Sequence, residues 1–451
     1  MKILVVASGD YFSSYGGGQI YVKNIVNELS KTNNEIIVMS ISNNKNLNSL
    51  KVKKIEEKNL TIIQVSVNIE HKDNNLPLEL QPDLLLIVRK ILYELSPDII
   101  HANGWKVLFS YIAKQMNIPC IVTAHHGGIV CPNGMLMDID EKVCYKEVNL
   151  KNCLNCSLNY VPGGKIFNKI TEYIPYPIVY KIGNSLSKIR NIPYVSPSFV
   201  TAYGLKHKIT SNDILKKNVS SIIAPSSAMM KVLLKNGFKK EKIRFIPHGI
   251  KPLPNKLNVV SDKVKLGYVG RITYVKGLHI LIEVLNELKL NNYELHIYGE
   301  AVTKEEKKYY LKLKSKSKNL PIYWHGKKEQ NQIDEAYHSF NLLVFPSICL
   351  EVFGLTILES FSTGRPVIAS KSGGPEDLII EGKNGYLFEP NNVKSLKSIL
   401  EKILKDKNLL ISLINHTKLE KKFFLETHIN NLLNLYNELL DKEKNEKNSS
   451  F

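Results

Sequence analysis

At 451 residues the chain is long enough for two or three domains, each burying its own core. Its 43% hydrophobic content is ordinary for a water-soluble protein, and no run approaches the ~18 apolar residues of a membrane-spanning helix, so the expected location is the cytoplasm. The formal charge of +19 argues for nucleic acid only until its make-up is read: of 61 basic residues just five are Arg, which describes a Lys-rich solvated surface, some of it available to anionic lipid.

Residues 1–10 have too few apolar positions for a signal peptide and read as a first buried strand. Further apolar runs follow at 35–40, 61–65, 99–101, 118–123, 222–224 and 243–246. After a Pro-rich linker at 251–255 the series resumes at 264–269, 294–298, 322–324, 342–345, 367–369 and 386–388. Helical periodicity separates the runs, for example at 278–288 and 393–404. Strand and helix alternate in both halves, the pattern of doubly wound α/β domains. The expected division is 1–250, with an insertion at about 127–205, then 263–420, then a helix at 421–440. Residues 441–451 are polar and expected to fray.

Several motifs sit where strands end. Gly16-Gly17-Gly18 opens a helix after the first strand, without the spacing of a dinucleotide fingerprint. Thr123-Ala124-His125-His126 closes the strand at 118–123. Cys131, Cys144, Cys153 and Cys156 fall within 26 residues. Their spacing favours a structural zinc site over disulfides, which need an oxidising compartment; an iron–sulfur centre is the alternative. In the second half, Gly270-Arg271-Ile272-Thr273-Tyr274-Val275-Lys276-Gly277 puts two cations around one strand-to-helix turn, where both can reach one diphosphate. After the run at 342–345, Glu351 lies in a loop, Gly354 permits close backbone approach, and Glu359 follows about one turn into a helix. Two acceptor-only carboxylates then flank a polar pocket suited to sugar hydroxyls.

Glu351 and Glu359, seven residues apart with Phe353-Gly354-Leu355 between them, resemble the signature of the family-four retaining glycosyltransferases. That resemblance implies the GT-B fold: two Rossmann-like domains facing a cleft, with a C-terminal helix returning to the first. It implies that Glu351 contacts the donor sugar and Glu359 the nucleotide ribose, with the backbone of Phe353, Gly354 and Leu355 lining the pocket. Arg271 and Lys276 match the family's diphosphate-binding pair, and Gly16, Gly17 and Gly18 its glycine loop. His125 matches a His near the donor sugar, whereas His126 replaces the usual Asp and His248 the usual Asn. Ser372-Gly373-Gly374-Pro375-Glu376 resembles the family's turn beside the nucleotide. A subset of the family has a cysteine-rich insertion soon after the His. The implied reaction uses a nucleoside diphosphate sugar, a hydroxyl acceptor and no metal cofactor. The leaving phosphate accepts the acceptor's proton on one face of the sugar.

Two other readings are a nucleotide-sugar 2-epimerase on the same fold and a non-catalytic nucleotide- or glycan-binding protein. The joint presence of Arg271, Lys276, Glu351, Glu359 and His125 weighs against both. Between 163 and 203, Lys165, Lys169, Lys181, Lys188 and Arg190 alternate with Phe167, Tyr173, Ile174, Tyr176, Tyr180 and Tyr194. That interleaving suits either an anionic lipid surface, with a lipid-linked acceptor, or a plain covering insertion.

Overall fold

The structure is a computed structural model that describes residues 1–9, 11–12, 16–47, 50–70, 72–73, 75–159, 161, 169, 174–186 and 196–448. Phe167, Tyr173, Tyr194 and the basic residues Lys165, Lys188 and Arg190 of the aromatic–basic stretch lie outside them. Two sheets organise the chain. The first comprises β1 (Lys2–Val6), β2 (Glu35–Asn43), β3 (Lys51–Glu57), β4 (Leu60–Val67), β5 (Ile99–Ala102), β6 (Cys120–Thr123), β7 (Ser221–Ala224) and β8 (Ile243–Phe245), in the order β3-β4-β2-β1-β5-β6-β7-β8. The second comprises β9 (Val264–Val269), β10 (Tyr293–Tyr298), β11 (Ile322–Gly326), β12 (Leu342–Phe345), β13 (Val367–Ser370) and β14 (Gly385–Phe388), in the order β11-β10-β9-β12-β13-β14. Both are parallel apart from β3, which pairs antiparallel with β4. Helices cover both faces, which is why the central strands read as unbroken apolar runs. These are the two Rossmann-like domains of a GT-B protein.

Every apolar run in the sequence became a strand. β3 had no counterpart among them. Lys51, Lys53, Lys54, Glu56 and Glu57 leave it no apolar face, and it lies exposed at the sheet edge, where charge deters pairing with other chains.

The chain passes between domains twice, side by side. Ile250 N–H donates to the Phe423 carbonyl at 3.0 Å, and Leu425 N–H to the Ile250 carbonyl at 2.8 Å. Gly249 makes this approach possible, since a Cβ there would lie 2.6 Å from the Phe424 oxygen. The final helix, Leu425–Asn448, returns to the first domain. It buries Leu425, Ile429, Leu432, Tyr436 and Leu439, spaced three and four apart, against Tyr21, Ile25 and Val26. It continues past residue 441, where fraying was expected, to Asn448. The insertion contains helices Leu150–Asn159 and Tyr176–Leu186, and helix Ser196–Asn218 runs on through residue 205 toward β7. Among the described residues no helix is long and apolar enough to cross a membrane.

Candidate active site

In the second domain the turn after β9 and the loop after β12 interlock. Gly277 has φ +70, and a Cβ there would lie 1.8 Å from the Pro346 oxygen, so only glycine allows the contact. Ile348 N–H donates to the Val275 carbonyl at 2.9 Å. This interlock brings Lys276 Nζ to 2.6 Å from Glu351 Oε1, which also accepts from the Ser347 hydroxyl. Burial pulls the Lys276 ammonium down in pKa, but the adjacent Glu351 carboxylate outweighs it and the net shift is upward. Arg271 pairs with Glu306 at 2.5 Å, and its charge still reaches Lys276.

Glu351 is anchored by its backbone to the 372–374 turn, donating to Ser372 at 2.7 Å and accepting from Gly374 at 2.8 Å. Gly354, at φ +112, turns the chain into helix Leu355–Ser362. Glu359 then lies on the helix face toward Tyr337, whose hydroxyl donates to Oε2 at 2.6 Å. Burial raises the Glu359 pKa, and hydrogen bonds from Tyr337 and Gln330 oppose that rise.

The first domain supplies the facing wall. A Cβ on Gly17 would lie 3.7 Å from the Leu355 side chain, and one on Gly18 would lie 3.8 Å from the His125 Cβ. The glycine loop thus sits one van der Waals contact from both His125 and the Glu351 loop. Behind it is a buried chain of rings. His125 Nε2 donates to Asn103 Oδ1 at 2.5 Å, which leaves Nδ1 to accept from His248 Nε2 at 3.3 Å. His428 Nδ1 donates to the Pro247 carbonyl at 2.7 Å, so its Nε2 accepts from the Tyr21 hydroxyl at 2.8 Å. Phe353 meets His248 edge-on at 5.3 Å, joining this cluster to the second domain. His126 Nδ1 accepts from Gly128 N–H at 2.9 Å and turns the chain away from the strand.

Burial holds these histidines neutral, as it does His101 of β5, whose ring nitrogens bond the Tyr436 and Thr123 hydroxyls; His101 is pushed down to about 3 and His428 to about 4. Unfolding restores an ordinary histidine that binds a proton near pH 6.5. Stability is therefore full above pH 6.5 and lost as pH falls toward 4. Each fully buried ring contributes roughly 1.4 kcal/mol per pH unit across that window. Urea unfolding at pH 7.5 and 5.5 should give a midpoint clearly lower at pH 5.5; equal midpoints would contradict the assignment.

All four cysteines of the insertion are free thiols. Asn133 lies between two of them: Cys131 Sγ donates to its Oδ1 at 2.8 Å, and its Nδ2 donates to Cys156 Sγ at 3.5 Å. Cys153 and Cys156 share helix Leu150–Asn159. Burial comes first in raising the Cys153 and Cys156 pKa values to about 11, and the neighbouring thiols of the group add to it. Among the described residues no three His, Cys, Asp or Glu side chains are arranged as a metal site.

The structure thus brings Gly17 against Leu355 and Gly18 against His125, and it pairs Lys276 with Glu351. Glu359 faces its own tyrosine. Sequence reasoning missed Tyr21, Asn103, Tyr337 and His428, because the partners that bring them in lie on elements remote in the chain. Asn103, directly after β5 at the edge where such sheets bind ligands, was the one available signal.

A nucleotide-sugar glycosyltransferase is the class these walls and this fold define, and comparison with known proteins agrees. A model of glycosyl transferases group 1 matches residues 250–420, and one of Glycosyltransferase Family 4 matches residues 15–140. The chain belongs to the family-four glycosyltransferases, a family of retaining enzymes. It is 25% identical over 364 residues to a lipopolysaccharide 1,2-N-acetylglucosaminetransferase of Salmonella typhimurium, covering 71% of this chain and 91% of that one. It is 27% identical over 247 residues to the capsular polysaccharide biosynthesis glycosyltransferase CapM of Staphylococcus aureus, covering 53% and 61%. In fold it matches sucrose-phosphate synthase from Thermosynechococcus elongatus with a TM-score of 0.68, at 17% identity and coverage of 98% and 99%. It also matches Anabaena HepE in complex with UDP and glucose with a TM-score of 0.64, at 16% identity and coverage of 96% and 99%. The 2-epimerase and the non-catalytic binding protein are set aside.

Proposed function

We propose that the enzyme transfers a hexosyl group from a nucleoside diphosphate sugar to a hydroxyl of a cell-envelope glycan, glycolipid or glycoprotein glycan, with retention at the anomeric carbon. The observation that carries this reading is the Lys276–Glu351 pair in the loop that runs into Leu355, whose side chain meets the glycine loop of the first domain at Gly17. Lys276 and Arg271 would neutralise the charge that gathers on the leaving diphosphate. Glu351, with one oxygen engaged by Lys276 and Ser347, keeps acceptor capacity for donor hydroxyls. Glu359 would take the ribose. Closure of the cleft would exclude water and limit hydrolysis. The lipopolysaccharide and capsule relatives support an envelope acceptor. The test is a thermal-shift screen of nucleotide sugars, then turnover of the hit with chelator present and NMR of the product anomer. An inverted product would overturn the reading.

For the cysteines we propose a structural zinc held by Cys131, Cys144, Cys153 and Cys156, with catalysis independent of it. The fold gathers all four thiols within electrostatic reach of one another, which supports this reading. Elemental analysis of protein purified without metal-affinity resin should find about one zinc per chain. Four titratable thiols without zinc or iron would refute it.

A peripheral position on an anionic membrane is the third part of the proposal. Ile178, Ile182 and Val200 are exposed on two neighbouring helices, beside Lys181 and Lys206. Sedimentation with anionic vesicles should fall with salt and weaken when Lys165, Lys169 and Lys181 become Glu, each lysine contributing about 1 kcal/mol. No sedimentation at low salt would count against it.

A further inference from the structure

A cavity of about 910 Å³ opens in the first domain. Ser8 and Gly9, just after β1, line it together with Gly104 and Trp105, just after β5. β2 flanks β1 on one side and β5 on the other, so the strand order reverses between β1 and β5. In open α/β sheets ligands bind outside the carboxyl ends of the strands at such a reversal. Leu78, Trp105 and Tyr203 give the cavity apolar and aromatic walls, surfaces on which a sugar ring can lie.

The floor of the cavity is charged. Lys208 Nζ spends two of its three donors on the carbonyls of Gly128 and Ile129, at 2.6 and 3.1 Å. Glu79 Oε2 accepts from the backbone N–H groups of Val107 and Leu108 at 3.2 and 3.3 Å, where helix Lys106–Gln115 begins. Lys106 and Lys208 both lie within electrostatic reach of that single carboxylate and of each other. Two ammonium groups against one carboxylate leave one excess positive charge, and burial lowers both lysines to about 8. Such an excess is costly unless an anion completes it. His126 lies within electrostatic reach of Lys106 and Lys208 and also of Lys276 and Glu351, so the cavity adjoins the donor centre.

We propose that this cavity is the acceptor site and that the acceptor is a phosphorylated saccharide, its phosphate held by Lys208, which lines the cavity, with Lys106 adding positive charge from outside the lining. The inference rests on the glycosyltransferase reading and adds the chemistry of the acceptor to it. Lysine suits the task as a point charge for phosphate. The phosphate could belong to a soluble sugar phosphate or to a lipid-linked sugar diphosphate.

The experiment uses the full chain and three probes: N-acetylglucosamine, its 1-phosphate, and its diphosphate ester with a short lipid. Binding is read by saturation-transfer NMR with nucleoside diphosphate present. At least one phosphorylated probe should bind about tenfold or more tightly than the neutral sugar, the scale of a charge-assisted hydrogen bond. A gain with the soluble phosphate points to a soluble acceptor, and a gain with the lipid ester alone to a lipid-linked one; both support the proposal. Lys208→Met and Lys106→Met should bring the ratio of phosphorylated to neutral affinity toward one. Lys208→Arg should keep it, which separates charge from folding. Equal wild-type affinity for all three probes, or a ratio unchanged in both Met variants, would overturn the inference. Failure of the chain to bind or hydrolyse any nucleotide sugar would instead overturn the glycosyltransferase reading beneath it.

Discussion

Lys276→Ala is expected to lower turnover by about two orders of magnitude or more, the usual cost of losing a preorganised charge at a leaving group. Lys276 is the cation that the Gly277–Pro346 contact forces into the cleft, 2.6 Å from Glu351. Arg271→Ala is expected to do the same, although Arg271 rests against Glu306 at 2.5 Å. Glu306 is itself held by the backbone N–H groups of Val302 and Thr303 at 2.7 and 3.0 Å, so it makes a firm anchor for the guanidinium. Removing Lys276 also leaves Glu351 half-buried without its cation, which costs stability. Thermal unfolding of the variant therefore has to accompany the kinetics. Lys276→Arg should restore little, because a planar fork does not replace a compact ammonium at the Glu351 oxygen that Ser347 also engages. Steady-state turnover with the identified donor checks this, and full activity in either alanine variant would remove that residue from the leaving-group site.

Glu359→Ala should weaken nucleotide binding by roughly 1–3 kcal/mol, the scale of hydrogen bonds to a charged acceptor. Ionised, the carboxylate accepts charge-assisted hydrogen bonds from ribose hydroxyls; protonated, it gives up that charge and one acceptor oxygen. Burial raises its pKa, so wild-type affinity should decline as the medium is acidified and the carboxylate takes up a proton. That pH dependence should vanish in Glu359→Gln. Tyr337→Phe removes the hydroxyl that donates at 2.6 Å and helps keep the carboxylate charged. It should produce a smaller loss and move the pH dependence upward. Calorimetric titration with the nucleoside diphosphate across a pH series reads all three. Unaltered affinity in Glu359→Ala would place the ribose elsewhere.

The alternation of buried runs and helical segments was legible without coordinates, because strands covered on both faces need unbroken apolar sequence. Motifs carried by one short segment were equally legible: Gly354 between Glu351 and Glu359, Lys276 just before Gly277, and His125 at a strand end. These depend on local turn geometry and on spacing along the chain. β3 escaped because an exposed edge strand has no apolar face to announce it. The ring cluster of Tyr21, His125, His248 and His428 escaped for another reason. Its members lie up to 407 positions apart, and only the return of the C-terminal helix packs them together. Glu79, Lys106 and Lys208 are the same case, each an unremarkable charge in a Lys-rich chain until the fold gathers all three, half-buried, within electrostatic reach of one another. Whatever rests on contacts within a few residues was determined by the sequence alone. Partnerships between distant elements, and the desolvation that gives buried charges their chemistry, were decided only by tertiary packing.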